Sequence, residues 1–178
     1  TVLLINLIKI RWIAIVGQLT TLFTIFFVFN FTIPLTECLI VVALSILVNF
    51  YSYFIQRGNP TLTDKKTFLF LLFDISQLVG LLFLTGGVFN PFIVLILAPI
   101  IISASYLSAL WTILLSLYSI LLILIINFNY VPFNWEQSFI TPTIYNIGII
   151  IALIITIIFI AIYAYLFANS ARKISSAL

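Results

Sequence analysis

Long apolar runs, each closed by a short cluster of polar or helix-breaking residues, organise this chain from end to end. A helix needs about 20 predominantly apolar residues to cross a bilayer core. Runs of that order cover 12–31, 35–56, 67–85, 91–110, 111–128 and 142–167. Pro34 divides the first two, and Thr36 and Glu37 suit the opening turn of the second. The polar stretch 57–66 closes the second run, and a very tight turn precedes Trp111. An aromatic and polar connection, 129–141, leads into the sixth. The pattern predicts an all-α integral membrane protein with six transmembrane helices. Residues 169–178 are polar enough to leave the bilayer.

The charges orient this arrangement. Lys9 and Arg11 precede the first expected span, Arg57, Lys65 and Lys66 join the second to the third, and Arg172 and Lys173 follow the sixth. All fall on one side of a six-span topology, and the positive-inside rule makes that side, with both chain ends, cytoplasmic. Glu37 and Glu136 then lie outside, with Trp135 in an interfacial belt. The composition leaves no room for a soluble domain beside the spans: 65% hydrophobic, 6% charged, with a mean hydropathy of +1.38. The chain has no Met and begins inside an apolar run, so it reads as a piece of a longer protein. A single cysteine, Cys38, excludes an internal disulfide framework, and without His no ordinary metal centre is expected. The few scattered basic residues serve topology rather than nucleic acid.

Between the third and fourth runs stands Gly86-Gly87-Val88-Phe89-Asn90-Pro91-Phe92. Irregular backbone at a bilayer edge must find hydrogen-bond partners, which makes it a natural binding place. Turn chemistry accounts for part of it: a glycine in the left-handed region ends a helix, Asn90 caps the next, and Pro91 fits its first turn. Phe89 and Phe92 around a donor-rich helix start also suit a ligand with carbonyl oxygens and a flat ring.

Asp74 is an ionisable residue inside the third run, and such residues usually face a cavity or a partner. Gln77, one turn on, shares its face. The pair serves either a ligand site or proton path, or interhelical packing. Asp74 is assigned to packing or switching, and Gln77 to a pocket that runs deep. Gln18, Ser45, Asn49, Ser103 and Ser105 suit bonds across helices. Gly17, Gly80 and Gly148 suit close helix approach, and Pro99 a kink that passes movement from the heptad inward. Trp111 suits an interface anchor. Ala171, Ile174 and Leu178 have the spacing of a coiled-coil seam, so 169–178 reads as the start of a cytoplasmic signalling helix.

The Gly-Gly-x-x-Asn-Pro-Phe heptad, with Asp74-Ile75-Ser76-Gln77-Leu78 before it, resembles the membrane domain of RegB/PrrB/ActS-type redox-sensing histidine kinases. Arg11-Trp12-Ile13-Ala14-Ile15-Val16-Gly17-Gln18 and Ala98-Pro99-Ile100-Ile101-Ile102-Ser103-Ala104 are similar to that family too. The resemblance implies a six-span sensor domain over 1–168 in a bacterial inner membrane, responding to ubiquinone or a related quinone. It implies a quinone site at Gly86, Gly87, Val88, Phe89, Asn90, Pro91 and Phe92, to which Gln77 is added from its helix face. It also implies a homodimer, a downstream kinase domain that uses ATP, and a response regulator as partner. Neither the phosphorylated His nor an ATP domain is in these residues, and Cys38 does not correspond to the family's redox-active linker Cys. A small transporter or channel-like protein is the competing class, but it would need several intramembrane polar groups near mid-bilayer, and Asp74 stands alone. With four acidic residues and no His, no catalytic constellation is readable either.

Overall fold

The structure, a computed structural model, describes residues 2–56, 61–132 and Gly148. The expectations for 57–60, for the connection with Trp135 and Glu136, for the sixth span apart from Gly148, and for the 169–178 signalling helix with its seam fall outside those residues.

Five α-helices carry the described fold: α1 (Leu4–Phe23), α2 (Leu35–Gln56), α3 (Asp64–Leu84), α4 (Leu97–Tyr106) and α5 (Ala109–Phe128). Among the described residues, four helical stretches are long and apolar enough to cross a membrane. They are Leu4–Val28, Leu35–Phe54, Asp64–Leu84 and Ala109–Phe128, and a shorter apolar stretch covers Pro91–Tyr106. The two-residue strands β1 (Val2–Leu3) and β2 (Thr61–Leu62) pair antiparallel and tie the start of α1 to the approach of α3.

The first helix differs from its expected bounds. It starts at Leu4, so Lys9 and Arg11 lie within it rather than ahead of it. Lys9 is exposed, whereas Arg11 is buried because it has found a partner inside the protein. At its other end the helix loosens into a π turn, Thr24–Val28, with the Phe29 amide donating to the Thr24 carbonyl over 3.1 Å. Asn30 in the left-handed region (φ 52°) and Pro34 then reverse the chain.

Packing follows the polar residues as much as the apolar ones. Along α2, Ser45, Asn49 and Ser52 form a stripe at helical spacing, and all three are buried. Asn49 Nδ2 donates to the Ile8 carbonyl on α1 over 3.2 Å. The main apolar cluster joins α1, α3, α4 and α5 through Leu7, Leu71, Ile75, Leu82, Ile102 and Leu115. A second cluster joins α1, α2 and α3 around Ile15, Cys38, Val42 and Leu81. Their outward faces, such as Leu117, Ile120 and Leu124 on α5, are exposed apolar surface.

Between α3 and α5 the helix start is not a simple α-turn. Two tight 3-10 turns, Gly87–Phe89 and Pro91–Ile96, precede α4. Pro99 is buried in the first turn of α4, directly after the 3-10 stretch, and lacks the amide hydrogen that would continue the helical ladder there. It stands close to the point where the tight helix gives way to the α-helix. The tight turn expected before Trp111 comes earlier, at Leu107 and Ser108. The Ser103 and Thr112 hydroxyls pair across that corner at 3.0 Å.

Candidate functional site

The heptad is a closed turn built by its own residues. Gly86 (φ 98°) and Gly87 (φ 63°) take left-handed backbone, which an L side chain resists. A Cβ on Gly87 would stand 2.7 Å from the Tyr130 Cβ, so both the conformation and the space require glycine. The Gly86 amide donates to Val131, and the Val131 amide donates to Phe83, so the exit of α5 clasps the turn.

Asn90 is the hinge of the arrangement. Its Oδ1 accepts from the Phe92 amide at 2.9 Å, capping the helix start, while Nδ2 donates to the Thr85 carbonyl (3.0 Å) and hydroxyl (2.8 Å). Its carbonyl accepts from Ile93 at 3.0 Å, and the amides of Phe89 and Asn90 donate to Gly86 and Gly87. The turn chemistry is as the sequence suggested, but these amide donors are spent within the turn. They do not stand open for a ligand, because one carboxamide satisfies both the end of α3 and the start of α4.

A cavity of about 280 Å³ runs beneath this turn between α1, α3 and α4. Asn90 and Phe92 line its heptad end, Gln77 its middle, and Asp74 the far end; Pro99 lies on the α4 wall. Of the eight residues assigned to a ligand site, the cavity brings together Gln77, Asn90 and Phe92. Gly86, Gly87, Val88, Phe89 and Pro91 are not on its wall. Phe89 is exposed and meets Tyr130 edge-on, with ring centroids 5.8 Å apart. Pro91 lies against Gly148, where an added Cβ would stand 3.4 Å from its Cγ.

Four residues of the site went unassigned from sequence. Gln18 on α1 faces Gln77, and their carboxamides pair reciprocally at 3.0 and 3.1 Å. Gln18 was expected to bond across helices, but not to line a pocket. Arg11 Nε and Nη2 donate to the two oxygens of Asp74 at 2.8 and 3.0 Å, and Nη1 donates to Ser52 on α2 at 3.3 Å. The Phe70 ring lies 5.3 Å below the guanidinium carbon. Thr85 supports Asn90, and Gly17 leaves open space, with nothing among the described residues within 4 Å of an added Cβ. Gly17 therefore widens the cavity rather than drawing two helices together. A search for the counter-ion of Asp74 would have exposed Arg11, because a charge in an apolar helix needs one.

The arrangement is an apolar slot with polar groups spaced along one side. Among the described residues no group of His, Cys, Asp or Glu is placed to hold a metal ion. The volume lies near the lower end of small-molecule sites, roughly 300–1,000 Å³, and suits one ring with few substituents. Leu22, Leu78, Leu82 and Leu95 supply apolar wall, while the Gln pair can both donate and accept.

Over 175 residues, 97% of its length, the chain is 34% identical to Sensor histidine kinase RegB of Cereibacter sphaeroides. A second Sensor histidine kinase RegB, from strain ATCC 17023 of that species, is 35% identical over 73 residues, 41% of this chain. The chain spans 38% of the length of the first relative and its match covers 16% of the second. No family model and no solved structure matches it.

Proposed function

We propose that this chain, a RegB-type histidine kinase membrane region, is a six-span sensor domain that binds a quinone in the cavity under the heptad. Occupancy of that cavity sets the autophosphorylation of a kinase domain further along the chain, through the sixth span and the 169–178 helix. The domain sits in the bacterial inner membrane with both ends cytoplasmic, works as a homodimer, and draws its ligand from the lipid phase. ATP and a response regulator are handled by the kinase region.

One observation carries this reading: a single ring-sized cavity is bordered by Gln77, Asn90 and Phe92, residues assigned to the ligand from sequence. Phe92 offers an aromatic contact to the ligand, and the Gln18–Gln77 pair offers hydrogen bonds to ring oxygens. The apolar wall suits a greasy ligand arriving through lipid. A fourth span is also physically reasonable despite its short α-helix. The 3-10 stretch holds 6 residues and α4 holds 10. At ~2.0 and ~1.5 Å per residue they reach roughly 27 Å, close to the ~30 Å bilayer core.

The test is direct titration of the chain in lipid nanodiscs with a decyl-substituted benzoquinone. Saturable binding is expected, weakened about tenfold or more by Phe92→Ala or Gln77→Ala, the loss of one ring contact or buried hydrogen bond. Binding that is absent, or indifferent to both substitutions, refutes the proposal.

A further inference from the structure

The cavity's polar groups differ in what they can give a ligand. Gln18 and Gln77 both donate and accept, so they serve a ring oxygen in either redox form. Asn90 and Thr85 satisfy each other. Arg11 is nearly enclosed, its side chain 4% exposed, while the Asp74 side chain keeps 23% of its surface open. Asp74 is the acidic residue on the cavity wall, and among the described residues only Arg11 hydrogen-bonds to it. A carboxylate accepts and cannot donate, and two oxygens carry about four lone-pair sites, of which Arg11 takes one on each.

We propose, resting on the quinone reading above, that Asp74 is the contact that distinguishes reduced from oxidised ligand. A hydroquinone hydroxyl donates to the open side of the carboxylate. A quinone carbonyl, itself only an acceptor, gains no bond from the carboxylate, and the neighbouring Arg11 is nearly enclosed and turns three of its N–H groups to Asp74 and Ser52. Gln77 lies ~4.5 Å further along α3, a spacing compatible with the two oxygens on opposite sides of one six-membered ring. One ring oxygen then meets Asp74, the other meets the Gln18–Gln77 pair, and the ring's substituents point toward Asn90 and Phe92. The reduced ligand shares a carboxylate that ties α3 to Arg11 on α1, whereas the oxidised ligand leaves the tie untouched. The difference between the two forms is therefore delivered to a contact between helices, where only a difference in interaction can shift a conformational equilibrium.

The experiment compares the decyl-substituted benzoquinone with its dithionite-reduced hydroquinone, each titrated into the chain in nanodiscs. Asp74→Asn, which keeps one accepting oxygen and loses the charge, is expected to weaken hydroquinone binding about three- to tenfold, the difference between a charge-assisted and a neutral hydrogen bond, and not to weaken quinone binding. Because a lone Arg11 could spoil folding, Arg11→Leu with Asp74→Leu is measured alongside and is expected to show the same selective loss. Equal losses for both ligands, or an unchanged hydroquinone affinity in folded protein, overturn the Asp74 assignment and leave the quinone reading standing. If neither ligand binds the unaltered chain, the quinone reading fails and this assignment falls with it.

Discussion

Arg11 and Asp74 stand 63 positions apart in sequence and meet through two hydrogen bonds of 2.8 and 3.0 Å. That fork, with the third bond to Ser52, fixes α1 against both α3 and α2. A buried ion pair costs desolvation that its attraction roughly offsets, so its net contribution is small, yet an orphaned partner is expensive.

Removing one member should therefore hurt far more than removing both. Arg11→Leu or Asp74→Leu alone should cost about 3–5 kcal/mol, while the double substitution should fall within ~1 kcal/mol of the parent. Unfolding of each variant in detergent, followed by circular dichroism, checks this. A double variant as damaged as either single one would show that the pair matters by its net attraction.

Asn90 should be intolerant for reasons unrelated to any ligand. Asn90→Ala loses the cap on Phe92 and strands the Thr85 carbonyl in a buried corner, while the Thr85 hydroxyl keeps its bond to the Leu81 carbonyl. The cap contributes ~1 kcal/mol and an unsatisfied buried group ~1–3 kcal/mol, so a loss of roughly 2–4 kcal/mol is expected. Asn90→Asp keeps the acceptor and loses the donor, and its unfolding midpoint should fall between the two.

Gly87→Ala should destabilise by roughly 2 kcal/mol or more, since left-handed backbone disfavours any Cβ and this one meets Tyr130. Adding Tyr130→Gly should recover the steric part and leave the backbone part. Thermal midpoints of the two variants separate these contributions.

The helices and the chemistry of the heptad turn were legible because local rules decide them. Apolar run length marks the spans, and Gly86, Asn90 and Pro91 occupy the left-handed, capping and first-turn positions that their chemistry favours. What was not legible depends on which helix faces which. Arg11 read as a loop charge because charges usually lie outside spans, and Asp74 across the bundle, with Ser52 and the Phe70 ring beside it, keeps it inside. The donors at the start of the fourth run looked open because nothing local says that Asn90, the expected cap, also reaches back to Thr85 and closes the turn on itself. Gly17 read as a packing glycine because composition cannot tell a close approach from an empty space.

Gly17 gives the sharpest separation of fold from site. It lies in α1 on the cavity wall, and a Cβ there meets nothing within 4 Å among the described residues. Alanine in a helix interior is favoured over glycine by about 0.5–1 kcal/mol, so Gly17→Ala should stabilise the protein by that amount and still bind ligand. Gly17→Phe offers a smaller backbone gain, because an aromatic side chain loses rotamer freedom in a helix, and projects a ring into the slot, competing for the volume that the ligand would use. Its helical content and unfolding midpoint should match or exceed those of the parent, while quinone binding in nanodiscs should be lost. A Gly17→Phe protein that folds normally and binds with unchanged affinity would place the ligand somewhere other than this cavity.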